Sequence, residues 1–122
     1  MFRFENLEIW QRAADLNLPL FDLADQLDAR RLFRFAEQLR AAALSITNNI
    51  AEGSGSDSDA EFKHFLNIAR RSLFECANML LIFQRKKLLT PEQAQPLLQE
   101  LDEVSRMLTA FMKRLRHDNP RS

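Results

Sequence analysis

Tyrosine is absent from the 122 residues, glycine occurs twice, proline four times and cysteine once. So few turn formers leave little material for tight reversals, and long regular elements are expected. The lone cysteine, Cys76, has no partner for an internal disulfide. It excludes a disulfide-stapled scaffold and fits a reducing compartment, with a buried thiol acting as a small hydrophobe. The first residues, Met1-Phe2-Arg3-Phe4-Glu5, lack the apolar core of a signal peptide. No apolar run approaches the length that crosses a bilayer. A cytoplasmic protein with no membrane partner is therefore expected. Charge of one sign is also lacking: 17 basic and 17 acidic side chains give a formal net charge of zero. That balance points to no particular partner and does little to oppose self-association.

What is present is helical periodicity. Hydrophobic residues make up 46% and charged residues 28%, ordinary values for one domain with a real core. One domain over residues 1–117 is expected, with a frayed tail over 118–122. Asn6 is placed to cap a first helix whose apolar positions are Trp10, Ala13, Ala14, Leu20, Phe21, Leu23, Ala24 and Leu27. Pro19 predicts a kink there, or a split into two shorter helices. A second helix is expected from about Arg30–Leu32, with a seam of Phe35, Leu39, Ala42, Ile46, Asn49 and Gly53 at alternating four- and three-residue steps. It should end at Gly53-Ser54-Gly55-Ser56, where Gly53 or Gly55 can take a left-handed cap. Ser58-Asp59-Ala60-Glu61 reads as a capping box for a third helix. The seam of that helix is Phe62, Leu66, Ala69, Leu73, Cys76, Leu80 and Phe83. Thr90-Pro91-Glu92-Gln93 opens a fourth, with a seam of Leu97, Leu101, Val104, Leu108, Phe111 and Leu115, and with Pro96 placed to bend its start. Short connections favour antiparallel neighbours, so an all-α, up-down-up-down four-helix bundle is expected. The third helix is apolar on nearly every face from Leu73 to Phe83. One stripe suffices for a bundle, so the excess, Phe74 and Leu81 above all, predicts a subunit interface.

The charges are neutral in sum but segregated along the chain. Residues 1–28 carry two bases against six acids, and residues 63–90 carry six bases against one acid. Antiparallel topology brings Arg30, Arg31 and Arg34 to the same end as Arg85, Lys86 and Lys87, a group able to engage phosphates. The alternative is that these six pair with Asp22, Asp25, Asp28 and Glu92, or serve the helix dipoles. Lys113, Arg114 and Arg116 form a second basic group beside the acidic residues 52–61.

Signals for catalysis are sparse. His64 and His117 stand alone, without partners at metal-ligand spacing, so no metal site is expected. Cys76 lies on a core seam with no neighbouring base and reads as an inert thiol. No glycine-rich phosphate loop follows a strand. Neither a cofactor nor a small-molecule substrate is expected. Asn49 on its seam and Glu75 among apolar neighbours are expected to be buried and hydrogen-bonded, fixing register or tying down the Gly53 turn. An active-site carboxylate at Glu75 would need a second acid or base beside it.

Three blocks resemble a known family. They are Phe4-x-x-Leu7-x-Ile9-Trp10-Gln11-x-Ala13; Gln38-Leu39-Arg40-x-Ala42-x-x-Ser45-Ile46-x-x-Asn49-Ile50-Ala51-Glu52-Gly53; and Glu61-Phe62-x-x-Phe65-Leu66-x-Ile68-Ala69-x-x-Ser72-Leu73-x-Glu75. Together they resemble the small bacterial four helix bundle proteins, which include proteins encoded in intervening sequences of large-subunit ribosomal RNA genes. The resemblance covers about residues 4 to 83. Thr47 departs from the family's usual proline, and Arg34 and Arg71 stand where glycine is common. The resemblance implies a bundle that assembles into a ring, typically a homopentamer, with a link to nucleic acid. It marks Asn49, Glu52, Gly53, Ser72 and Glu75 as structural polar positions. A related group of accessory proteins partners a reverse transcriptase and RNA. Two functions are therefore expected in competition: a non-enzymatic RNA-binding ring, and a protein–protein scaffold without nucleic acid.

Overall fold

The computed structural model describes residues 1–115. A 3-10 turn, Arg3–Asn6, precedes four α-helices: α1 (Glu8–Ala29), α2 (Phe33–Ser54), α3 (Asp59–Arg85) and α4 (Pro91–Arg114). Each neighbouring pair runs antiparallel, as the cross-helix contacts show. Asn17 meets Thr47 while Arg40 meets Asp25. Ser45 meets Ser72 while Phe35 meets Phe83. Arg70 meets Thr109 while Phe62 meets Phe111. Arg12 meets Glu100 while Gln26 meets Gln93. The four helices thus form an up-down-up-down bundle, as the short connections predict. Residues 116–122, including the expected frayed tail, His117 and Arg116, lie outside the described residues.

The seams drive the packing. In α3, Phe62, Leu66, Ala69, Leu73, Cys76, Leu80 and Phe83 are all buried, matching the predicted stripe in full. They meet Leu39, Ile46 and Ile50 from α2, Leu20 and Leu27 from α1, and Leu101, Val104 and Leu108 from α4 in one core. Each such aliphatic side chain contributes about 1.5–3 kcal/mol on burial. Two helix starts are also as expected. The Glu61 N–H donates to Ser58 Oγ at 3.1 Å. The Gln93 N–H donates to Thr90 Oγ1 at 3.2 Å, and the Thr90 N–H donates to Gln93 Oε1 at 2.9 Å.

Some expectations need correction. Asn6 does not cap α1: it ends the 3-10 turn, and Leu7 takes the cap position without a side-chain hydrogen bond. Nor is α1 split at Pro19, which lies on its exposed side, where water can reach the carbonyl left without a donor. The exposed Pro96 stands inside the continuous α4. Phe35 does not close the seam of α2; it is 41% exposed, with its ring lying 5.4 Å from that of Phe83.

Neither glycine takes a left-handed cap. Gly53 is helical and buried, and Gly55 follows the helix with φ −89°. A Cβ on Gly53 would lie 2.8 Å from both the Phe62 ring and Phe65 Cβ. Gly53 is thus a point of close approach of α2 to α3, where a Cβ does not fit.

Candidate functional site

The end of the bundle where α1 and α3 finish is built from two turns of one design. After α1 come Arg30, Arg31 and Leu32; after α3 come Lys86, Lys87 and Leu88. The Leu32 N–H donates to Leu27 O at 2.9 Å and the Arg31 N–H to Asp28 O at 2.8 Å. The second turn repeats this, with Leu88 N–H to Phe83 O at 2.8 Å and Lys87 N–H to Gln84 O at 3.0 Å. This closure satisfies the last helix carbonyls and demands a left-handed residue, usually glycine. Here Arg31 and Lys87 supply it, each with φ 64°.

The two turns touch, because the Arg30 guanidinium donates to Leu88 O at 3.1 Å. The α2–α3 pairing fixes the rest. Ser45 lies level with Ser72, and Phe35 with Phe83, so Arg34 falls level with the last turn of α3, where Arg85 and Lys86 follow. The structure therefore brings Arg30, Arg31, Arg34, Arg85, Lys86 and Lys87 to one end, and all six are exposed.

Their expected acidic partners are engaged elsewhere or do not reach them. Asp25 and Asp28 both pair with Arg40. Among the described residues none of the six bases forms an ion pair with Asp22 or Glu92, or with any other acid. The Arg40 pKa is pushed further up by hydrogen bonds to Asp28 and then Asp25, and that of Arg12 by Glu100 and then Glu103. The paired arginines are thus sequestered along the sides of the bundle. At the opposite end, the Arg3 guanidinium donates to Ser54 O and lies over the Phe62 ring, while Arg114 lies over Phe111.

A polar relay crosses from α2 to α3. The Asn49 amide donates to Ser45 O at 2.8 Å and Ser45 Oγ at 3.0 Å, and Ser45 Oγ lies 2.7 Å from Ser72 Oγ. Asn49 and buried Ser72 are thus joined across the bundle. Glu52 is exposed. Glu75 is exposed as well, contrary to expectation. At 100° per residue it stands off the seam formed by Leu73, Cys76 and Leu80, so its apolar sequence neighbours point away from it. Glu75 instead lines an open groove of about 580 Å³ between α2 and α3, with Gln38, Ala41, Ala42, Ser45, Ser72, Asn78 and Met79.

Phe74 is 60% exposed and Leu81 49% exposed, two turns apart on one face of α3. Both are uncovered in the single chain. Arg71, the departure from glycine, is exposed. His64 is exposed and packs edge-on against Phe65. Among the described residues no three His, Cys, Asp or Glu side chains gather as a metal ion would require, and no helix is long and apolar enough to cross a membrane.

Cys76 is fully buried, and its thiol is pushed up to about 12 by burial and then by the nearby Glu75 charge. Its thiolate population at neutral pH is thus lower by roughly a thousandfold than that of a free thiol. The native protein is expected to be inert to a thiol-specific chromogenic disulfide over hours, and to react with one equivalent on unfolding. Rapid native labelling would show that the α3 seam opens.

One buried polar pair escapes the sequence reading. Asn17, 4% exposed, donates its amide to Thr47 Oγ1 at 3.3 Å, and Thr47 Oγ1 donates to Leu44 O. Asn17 and Thr47 border a cleft of about 350 Å³ walled by Phe4, Trp10 and Phe21. The signal was available, since Ala13, Asn17, Leu20, Ala24 and Leu27 follow the same four–three spacing as the other seams. The hydroxyl at 47 sits at the family departure noted above.

The geometry defines a class: antiparallel four-helix bundles with an uncompensated basic end and an apolar outer face. The sequence profile of the 23S rRNA-intervening sequence protein family matches residues 5–110, and the chain belongs to that family. A protein of unknown function from the S23 ribosomal protein family of Bacteroides thetaiotaomicron, solved by crystallography, superposes with a TM-score of 0.82 at 24% identity. The match covers 86% of this chain and 98% of that one, and it shows the shared fold. No curated protein matches the chain.

Proposed function

We propose that this chain is a non-enzymatic, ring-forming bundle that binds RNA, or an RNA-handling partner such as a reverse transcriptase, in the cytoplasm. The observation that carries the reading is the set of six exposed bases at one end, with no ion pair among the described residues. An unpaired cation has no ion pair to break on meeting a phosphate and releases condensed counterions as it does so. The family's link to ribosomal RNA genes is consistent with this reading. Assembly follows from Phe74 and Leu81: two large side chains left in water on one face are stabilised by a second copy. A ring such as a homopentamer would repeat the basic end on every protomer and multiply weak phosphate contacts through avidity.

The test is light-scattering mass coupled to size exclusion, with and without structured RNA, at low and moderate salt. The expected result is an oligomeric mass that carries RNA at low salt and releases it as salt rises. Replacing Phe74 and Leu81 with serine should yield a helical monomer. An oligomer indifferent to RNA would favour the protein–protein scaffold, and a wild-type monomer would sink the ring.

A further inference from the structure

We propose that the groove between α2 and α3 receives an unpaired nucleobase, cytosine in preference to uracil, from a single-stranded RNA whose phosphates lie on the basic end. The inference rests on the RNA-binding reading and adds what that reading lacks, a site that reads the base.

The groove runs towards the basic end. Gln38 lines the groove, and one turn towards the start of α2 lies Arg34, about 6 Å along the helix axis. On the opposite wall, Met79 and Asn78 lie about two turns before Arg85 and Lys86. Phe35 follows Arg34 and precedes Gln38 along α2, 41% exposed with its ring 5.4 Å from that of Phe83. It offers an apolar rim where a base can stack, as in single-strand binders that set aromatics among cations.

The lining selects a base over a phosphate. Glu75 lines the groove, and its carboxylate repels a phosphate while being able to accept from an exocyclic amine. Gln38 and Asn78 supply both donors and acceptors for the remaining base edge. Ser45 and Ser72 are already bonded to one another, with Asn49 held on Ser45, so the floor is fixed. At about 580 Å³ the groove has ample room for one planar ring. A paired base in an A-form helix has its edge occupied and its deep groove closed to side chains, so the ligand is single-stranded. Cytosine and uracil have the same size and differ at C4, amine against carbonyl, and at N3, acceptor against N–H. A carboxylate can accept from the cytosine amine or the uracil N3–H, but the uracil donor is flanked by two carbonyls that repel it, so Glu75 favours cytosine.

The experiment is fluorescence anisotropy at low salt with labelled oligo(C) and oligo(U) RNAs of about 12 nucleotides and with a long-stemmed RNA hairpin whose loop contains no cytosine. The wild-type protein is expected to bind oligo(C) about fivefold more tightly than oligo(U), and the hairpin more weakly than either. Glu75→Gln should bring the two homopolymers within about twofold of one another while leaving the slope of affinity against salt unchanged. The ratio is the readout, because removing a carboxylate strengthens binding of any polyanion. Equal affinities for oligo(C) and oligo(U), an unchanged ratio in Glu75→Gln, or preference for the hairpin would overturn the groove while leaving phosphate binding at the basic end intact. Failure of all three RNAs to bind would overturn both.

Discussion

Replacing Arg34, Arg85 and Lys86 together with alanine is expected to leave the helical signal unchanged and to weaken RNA binding about a hundredfold at moderate salt. The fold should not notice. All three side chains are exposed, and none forms an ion pair within the described residues. Alanine also suits helix positions 34 and 85. Arg30 is deliberately spared because it holds the Leu88 carbonyl. Binding should respond strongly, because each phosphate contact to a single strand contributes about 0.7 to the slope of log K against log salt. Three lost contacts per protomer should therefore flatten that slope by about 2. A variant that binds as tightly as wild type, with the same slope, would place the phosphates elsewhere on the surface. As a control, Arg40→Ala removes a base that is already neutralised by Asp25 and Asp28, and it should change the salt slope little.

The two glycines should respond differently to alanine. In an exposed helix interior, glycine to alanine stabilises by about 1 kcal/mol. At Gly53 the added methyl would lie 2.8 Å from Phe62 and from Phe65 Cβ. The latter atom is fixed to its backbone, so α2 and α3 must separate or the Phe62 ring must turn. Overpacking of this kind costs about 1–3 kcal/mol and should outweigh the propensity gain. Gly53→Ala is therefore expected to lower the melting temperature by several degrees. Gly55→Ala should leave it level or raise it slightly, since its Cβ would meet only the Glu52 carbonyl at 3.5 Å. Thermal unfolding by circular dichroism checks both. A rise in stability for Gly53→Ala would mean that the helices are less tightly apposed than the structure shows.

How far the sequence announces this protein varies by element. The α3 seam and the Ser58 and Thr90 caps are legible because periodicity and capping chemistry are local. Gly53 misleads because Gly-Ser-Gly-Ser reads as a turn, whereas the demand for glycine there comes from Phe62 and Phe65 on another helix. Glu75 misleads for a related reason. Its apolar neighbours in sequence say nothing about direction, and only the helical angle reveals that it faces water. Asn17 is hidden by its chemistry, since asparagine on a seam is easily passed over, although its spacing marks it. The basic end is legible as composition and topology. Its lack of acidic partners is not, because Asp25 and Asp28 lie close enough in sequence to compete, and their choice of Arg40 is a tertiary fact.

The paired left-handed turns have an energetic meaning of their own. A side chain at φ 64° sits in a backbone well that costs about 1 kcal/mol relative to glycine at the same place. The chain accepts that cost twice, at Arg31 and Lys87, and both residues are exposed cations at the same end. Glycine at either position would make a more stable bundle with a weaker field. The two turns therefore mark where this protein gives up conformational free energy to hold positive charge, a reserve of about 2 kcal/mol open to any variant that no longer needs the charge.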